Sequence, residues 1–145
     1  MENNEIEQDN EPNPQNEEDT NSNLSNIYLD KPTIYYFNTS KDNYHSKHYN
    51  KALINIILYI KLVPNNPKAF ILKGKIYLSL NQFEKSLISF LRSEKLGDKS
   101  LDLLYGLARS YKQLYQYDLA LKYYKEALAL DPSAKSYYLL AKCYY

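Results

Sequence analysis

The side chains of this chain recur at a fixed interval, and that recurrence limits its fold more than any other feature. Shifted by 34 positions, Phe70, Gly74, Tyr77, Phe83, Ser86, Leu87, Phe90 and Ser93 fall on Leu104, Ala108, Tyr111, Tyr117, Ala120, Leu121, Tyr124 and Ala127, large on large and small on small. A second shift lays Tyr49, Ala52, Leu53 and Ile56 on Phe83, Ser86, Leu87 and Phe90, although Ile60 and Pro64 then meet Glu94 and Asp98. Tyr137, Leu140, Ala141 and Tyr144 follow Leu104, Leu107, Ala108 and Tyr111 at a spacing of 33. Such a period is the length two antiparallel helices need to make one stackable unit.

Within a period the apolar residues take helical steps. Leu104, Leu107, Ala108 and Tyr111 form one stripe, and Tyr117, Ala120, Leu121, Tyr124, Ala127 and Leu128 form another. Gln113 to Gln116 make the polar turn between them, and Asp131-Pro132 closes the second helix, because proline cannot donate the next backbone hydrogen bond. Asn66-Pro67 reads as an N-cap with proline at the first helical position, and Gly97 as a C-cap. These signals predict helices over 50–62, 67–80, 83–96, 101–113, 117–131 and 134–145. Leu53, Ile54, Ile56, Ile57, Leu58 and Ile60 cover most of the circumference of the first, which calls for cover on more than one side. From Asn26 to Asn50 polar residues interrupt the stripe. A degenerate opening helix is expected there, with Phe37, Ser40 and Tyr44 fitting the pattern once one residue is deleted from its turn.

Leu104, Leu107-Ala108, Tyr111, Tyr117, Ala120, Tyr124, Ala127 and Pro132 resemble the signature of the tetratricopeptide repeat family. The unit from Pro67 to Ser100 departs from it at Lys73, where Leu is usual, and at Asp98, where Pro is usual. The resemblance implies an all-α fold, a right-handed superhelical stack of antiparallel helix pairs (α-solenoid) of about three and a half repeats. The array is expected over 26–145, with approximate units 33–66, 67–100, 101–133 and a lone first helix at 134–145.

A chain of 145 residues has room for one domain. Its single cysteine, Cys143, has no partner for an intrachain disulfide and is expected to be a small buried apolar residue, which favours a reducing, cytoplasmic or nuclear setting. No apolar run approaches a membrane span and no signal-peptide pattern opens the chain. The formal charge of +1 hides a polarised chain. Glu2, Glu5, Glu7, Asp9, Glu11, Glu17, Glu18 and Asp19 give residues 1–20 a charge of −8, while every lysine and arginine follows Asp30 and leaves the remainder at +9. Ile6 is the only large aliphatic residue before Leu24, so residues 1–25 are expected to be a disordered acidic leader, either solubilising or folding back over the basic array.

No phosphate loop, nucleophile motif or cluster of metal ligands is present, and His45 with His48 lacks further ligands, so neither catalysis, cofactor nor metal is expected. The resemblance instead implies that the first helix of each unit lines a concave groove. There Lys75, Arg109 and Lys142 stand five residues beyond Phe70, Leu104 and Tyr137. Ile71, Tyr105 and Tyr138 lie one turn earlier, and Lys68, Asp102 and Lys135 two residues before the bulky anchor. With Lys112 added, Lys68, Ile71, Lys75, Tyr105, Arg109, Lys112, Lys135, Tyr138 and Lys142 make up the expected groove, a basic ladder beside an aromatic and aliphatic strip. It suits a protein segment with acidic and apolar side chains. Chaperone-tail clamps of this family are disfavoured, because their ligand places hold Ile71, Lys75, Gly106, Lys135 and Leu139, of which only Lys135 agrees. Competing readings are a structural subunit assembling through an apolar C-terminal face and, further off, RNA binding by alternating cations and tyrosines.

Overall fold

The computed structural model describes residues 30–144. The acidic leader at 1–25 therefore lies outside the described residues. Among these, seven helices and no strand occur: α1 Thr33–His45, α2 Tyr49–Leu62, α3 Pro67–Ser79, α4 Phe83–Lys95, α5 Leu101–Gln113, α6 Tyr117–Leu130 and α7 Ala134–Tyr144. Each helix packs on the one before it, so α1–α2, α3–α4 and α5–α6 are hairpins and α7 opens a fourth unit.

Local chemistry sets the boundaries. The Asn66 side chain accepts from the Lys68 amide at 3.0 Å and starts α3, and the Ser100 hydroxyl accepts from the Leu103 amide at 3.3 Å and starts α5. Gly97 follows α4 with φ of +96°, the left-handed conformation glycine adopts without a Cβ penalty. Lys47, Asn81 and Tyr115 turn the three hairpins at φ of 62°, 58° and 62°. That the same place is used three times shows the hairpins to be built alike.

The opening helix corrects the expected register. No residue is missing from its turn: Tyr36 and Ser40 stand 34 positions before Phe70 and Gly74, and both are buried. The polar residues that obscured this are accommodated singly. Ser40 Oγ donates to the Ala52 carbonyl at 2.7 Å, which removes the penalty of burying its hydroxyl.

Two apolar clusters form the core. One joins α1, α2 and α3 around Ile56, Ile76 and Tyr77; the other joins α3 through α7 around Phe90, Leu103, Leu107 and Tyr124. As its composition requires, α2 buries Ala52, Leu53, Ile56, Ile57, Leu58 and Tyr59. Phe90 ties the second cluster together. Its ring lies so close to the backbones of α3 and α5 that a Cβ on Gly74 would come within 2.7 Å of it, and one on Gly106 closer still. Beside it Ser86 and Ser110 share an Oγ–Oγ hydrogen bond of 2.9 Å, and Ser110 Oγ also donates to the Gly106 carbonyl at 2.8 Å. Small residues thus let α4 and α5 approach with their polar atoms satisfied. The first helices also touch across units, α1 with α3 and α3 with α5, while no comparable contact joins α2 to α4 or α4 to α6. The first helices consequently form the inner side of the stack.

Cys143 is buried as expected, and burial pushes its thiol up against the weaker opposing pull of Lys112. Tyr137, Tyr138 and Tyr144 of α7 are exposed.

Candidate functional site

The corrected register lengthens both rows of the inner face by one unit. Lys41 stands 34 residues before Lys75, so α1, α3, α5 and α7 carry Lys41, Lys75, Arg109 and Lys142 at one equivalent place. Phe37 likewise precedes Ile71, Tyr105 and Tyr138. Reading α1 without the deletion would have found both residues from the sequence.

At the N-terminal end the inner face contains a cavity of about 190 Å³. Phe37, Lys41, Tyr44 and His45 of α1 line it with Lys68, Ile71, Leu72 and Lys75 of α3 and Asp102 of α5. Ile71 is only 4% exposed, because it packs in the second core cluster. It makes an apolar floor and not the raised contact strip that its spacing suggests. Lys68 and Lys75 form the rim, and each already has a carboxylate neighbour: Lys68 Nζ lies 3.1 Å from Asp98 and Lys75 Nζ 3.0 Å from Asp102. The basic ladder is therefore partly neutralised at its second rung, Lys75, by an acid of the next unit, Asp102. The solvent-facing Lys75–Asp102 pair contributes about 0–1 kcal/mol, whereas the Asp98 side chain is only 7% exposed; both pairs set the positions of the ammonium groups.

Asp98 is the better anchored of the two acids. Burial pushes its carboxyl up, yet the Ser100 hydroxyl and amide and the Lys68 ammonium together outweigh burial and hold it below the ordinary 3.8. Its Oδ1 accepts from Ser100 N at 2.8 Å and from Ser100 Oγ at 2.5 Å. The same residue that caps α5 thus orients the acid that holds Lys68.

Further along, Lys135 Nζ lies 5.0 Å from the centre of the Tyr105 ring, whose hydroxyl meets Ser136 Oγ at 2.5 Å. Lys142 Nζ lies 5.7 Å from the Tyr138 ring, and Lys112 Nζ donates to the Lys142 carbonyl at 3.4 Å. Lys112 and Lys142 also line a second, wider cavity of about 640 Å³ with Tyr117, Leu121, Cys143 and Tyr144, at the α7 end. The expected groove residues are hence divided: Lys68, Ile71 and Lys75 at one cavity, Lys112 and Lys142 at another, Tyr105 and Lys135 at the seam between α5 and α7. Arg109 is exposed on α5 with no carboxylate partner among the described residues. Its charge reaches Tyr124, but burial dominates there and the hydroxyl is pushed up to about 12.

A stack of antiparallel helix pairs whose first helices touch across units defines an α-solenoid. The tetratricopeptide repeat family profile matches residues 67–96 and, separately, 101–134. This chain is a tetratricopeptide repeat protein, and its repeats indicate a protein–protein interaction scaffold. An N-terminal acetyltransferase A complex subunit-like protein of Schizosaccharomyces pombe is 27% identical over 108 residues, 74% of this chain and 16% of that protein. A CTR9 homolog of Arabidopsis thaliana is 30% identical over 102 residues, 67% of this chain and 9% of that protein. The chain thus spans under a fifth of the length of these curated relatives. Among solved structures, the first tetratricopeptide domain of Spaghetti (RPAP3), bound to the HSP90 peptide SRMEEVD, superimposes with a TM-score of 0.71 at 16% identity, over 77% of this chain and 91% of that one. Among the described residues no helix is long and apolar enough to cross a membrane, and no group of three or more His, Cys, Asp or Glu gathers where a metal could bind.

Proposed function

We propose that the inner face of α1, α3, α5 and α7 binds an extended segment of another protein that carries carboxylates and apolar anchors. The observation that carries this reading is the recurrence of a cation, Lys41, Lys75, Arg109 and Lys142, at the same place on four successive first helices, each one turn from Phe37, Ile71, Tyr105 or Tyr138. Four cations in a row give an acidic segment its register and speed its encounter, and the adjoining rings and aliphatic surface supply contact area. The peptide bound to the Spaghetti domain is itself acidic, although of the clamp's ligand places only Lys135 is matched here.

Charge reversal separates the inner face from the outer one. With a peptide recovered from a random display library on the full chain, Arg109→Glu is expected to weaken binding about tenfold or more, because it replaces an attraction by a like-charge repulsion worth at least ~1.4 kcal/mol. Lys122→Glu, exposed on α6 beside the Tyr123 ring, leaves the affinity within about twofold on the modest scale of exposed charges. Equal losses from both, measured by fluorescence anisotropy, would remove the inner face from consideration.

A second reading rests on the exposed tyrosines of α7. Tyr137, Tyr138 and Tyr144, at 58%, 62% and 57% exposure, suit a subunit that assembles through this end. The name of the fission yeast relative, a complex subunit-like protein, is in keeping with it. Light scattering over a concentration series separates assembly of this chain from capture of a peptide.

A further inference from the structure

The cavity between α1, α3 and α5 has a composition that one stretch of this same chain matches. Its floor is apolar: Ile71 and Leu72 are 4% and 7% exposed, and Phe37 and Tyr44 flank them half-buried. Its volume of about 190 Å³ takes a single aliphatic side chain, given that a cavity of about 150 Å³ accommodates benzene. Around that floor stand Lys41, which has no carboxylate partner among the described residues, and Lys68, which is exposed. Lys68 touches one oxygen of Asp98, and an ammonium group has three donors, so two remain for an incoming carboxylate. The fitting ligand is an aliphatic residue between two acids.

Residues 1–25 contain one such arrangement. Ile6 lies between Glu5 and Glu7, and no other large aliphatic residue occurs before Leu24. We infer that Glu5-Ile6-Glu7 occupies this cavity, with Ile6 on the floor and the two carboxylates at Lys41 and Lys68, and so competes with acidic partners for the N-terminal end of the inner face. The inference rests on the peptide-binding reading above and adds to it the identity of an internal competitor.

The connection is long enough without strain. Twenty-six residues lie between Ile6 and Thr33, the first residue of α1, a stretch of about 90 Å when fully extended. A flexible chain of that length has a root-mean-square span of roughly 30 Å, while Lys41 lies about 12 Å along α1 from Thr33. A tether whose mean span is comparable to the distance required holds its ligand at an effective concentration in the millimolar range. A contact whose own dissociation constant lies below that concentration is then occupied most of the time. Pairing the −8 leader with the +9 array acts in the same direction.

The test compares the full wild-type chain with a full-length triple variant, Glu5→Ser, Ile6→Ser and Glu7→Ser, which leaves every residue of α1 to α7 unchanged. The probe is a fluorescein-labelled synthetic peptide of residues 1–12. It is expected to bind the triple variant about tenfold more tightly than the wild type, in which the tethered copy competes, and raising salt to about 0.5 M should narrow the gap. Adding Lys41→Glu and Lys68→Glu to the triple variant should abolish binding of the probe. Equal affinity for both chains, or no binding to either, overturns the inference. A display-selected peptide keeps this outcome distinct from failure of the parent reading. If it binds both chains equally and remains sensitive to Arg109→Glu, the internal competitor is refuted while the inner face stands as a binding surface; if it is insensitive to Arg109→Glu, the inner face itself fails.

Discussion

Phe90→Ala is expected to destabilise the folded chain by about 3–5 kcal/mol, among the largest effects of any single truncation. Phe90 is fully buried, and its ring lies against the backbones of both α3 and α5. Truncation removes its transfer energy and leaves a void bounded by helix backbone, which collapses poorly because Ser86, Ser110 and Gly106 already hold α4 and α5 at a fixed separation through their hydrogen bonds. The position matters beyond its size. In a linear array, stability is a sum of unit terms and interface terms, and Phe90 belongs to the interface between the second and third hairpins. Urea denaturation followed by far-ultraviolet circular dichroism should show a lower midpoint together with a shallower slope, as the N-terminal and C-terminal clusters begin to unfold separately. An unchanged slope with a shift below 1 kcal/mol would mean that the two clusters are joined elsewhere.

Gly106→Ala is the second large effect, and it runs against helix propensity. In an exposed helix interior this change stabilises by about 1 kcal/mol. Here the new methyl group would run into the Phe90 ring, whose retreat is limited by the α3 backbone at Gly74. Overpacking of this kind costs about 1–3 kcal/mol, enough to cancel or exceed the propensity gain. The diagnostic is coupling. In a Phe90→Leu background the same Gly106→Ala change should lose most of its cost, a non-additivity of about 1 kcal/mol or more in a double-mutant cycle. Strict additivity would place the strain away from Phe90.

How far the sequence made these features legible depends on what sets each of them. Helix positions were readable wherever an apolar stripe coincided with a cap or breaker. Asn66-Pro67 before α3, Gly97 after α4 and Pro132 after α6 mark their boundaries within one or two residues. In α1 the stripe is broken, with Asn43 at the place Tyr77 and Tyr111 hold, and the expected register slipped by a residue. The hydroxyl of Ser40 fits only because the Ala52 carbonyl lies across the hairpin to accept from it, which no local pattern announces. That slip put Phe37 at the anchor place and hid Lys41; these are the fourth members of the two rows. The groove was legible as a list of equivalent places but not as a charge distribution. Asp98 and Asp102 are 30 and 27 residues from the lysines they meet, and only the stacking of α5 on α3 brings them within 3.1 and 3.0 Å. The burial of Ile71 and the close seat of Phe90 on two glycines likewise depend on the approach of neighbouring units, which a single-repeat pattern does not encode.

The most direct measurement is an amide chemical-shift map of the full-length chain titrated with a display-selected acidic peptide. Shifts gathering on Lys41, Lys75, Arg109, Lys142 and their neighbours in α1, α3, α5 and α7 are the predicted result. Shifts confined to α2, α4 and α6, with those four cations unmoved, would contradict a binding surface on the inner face.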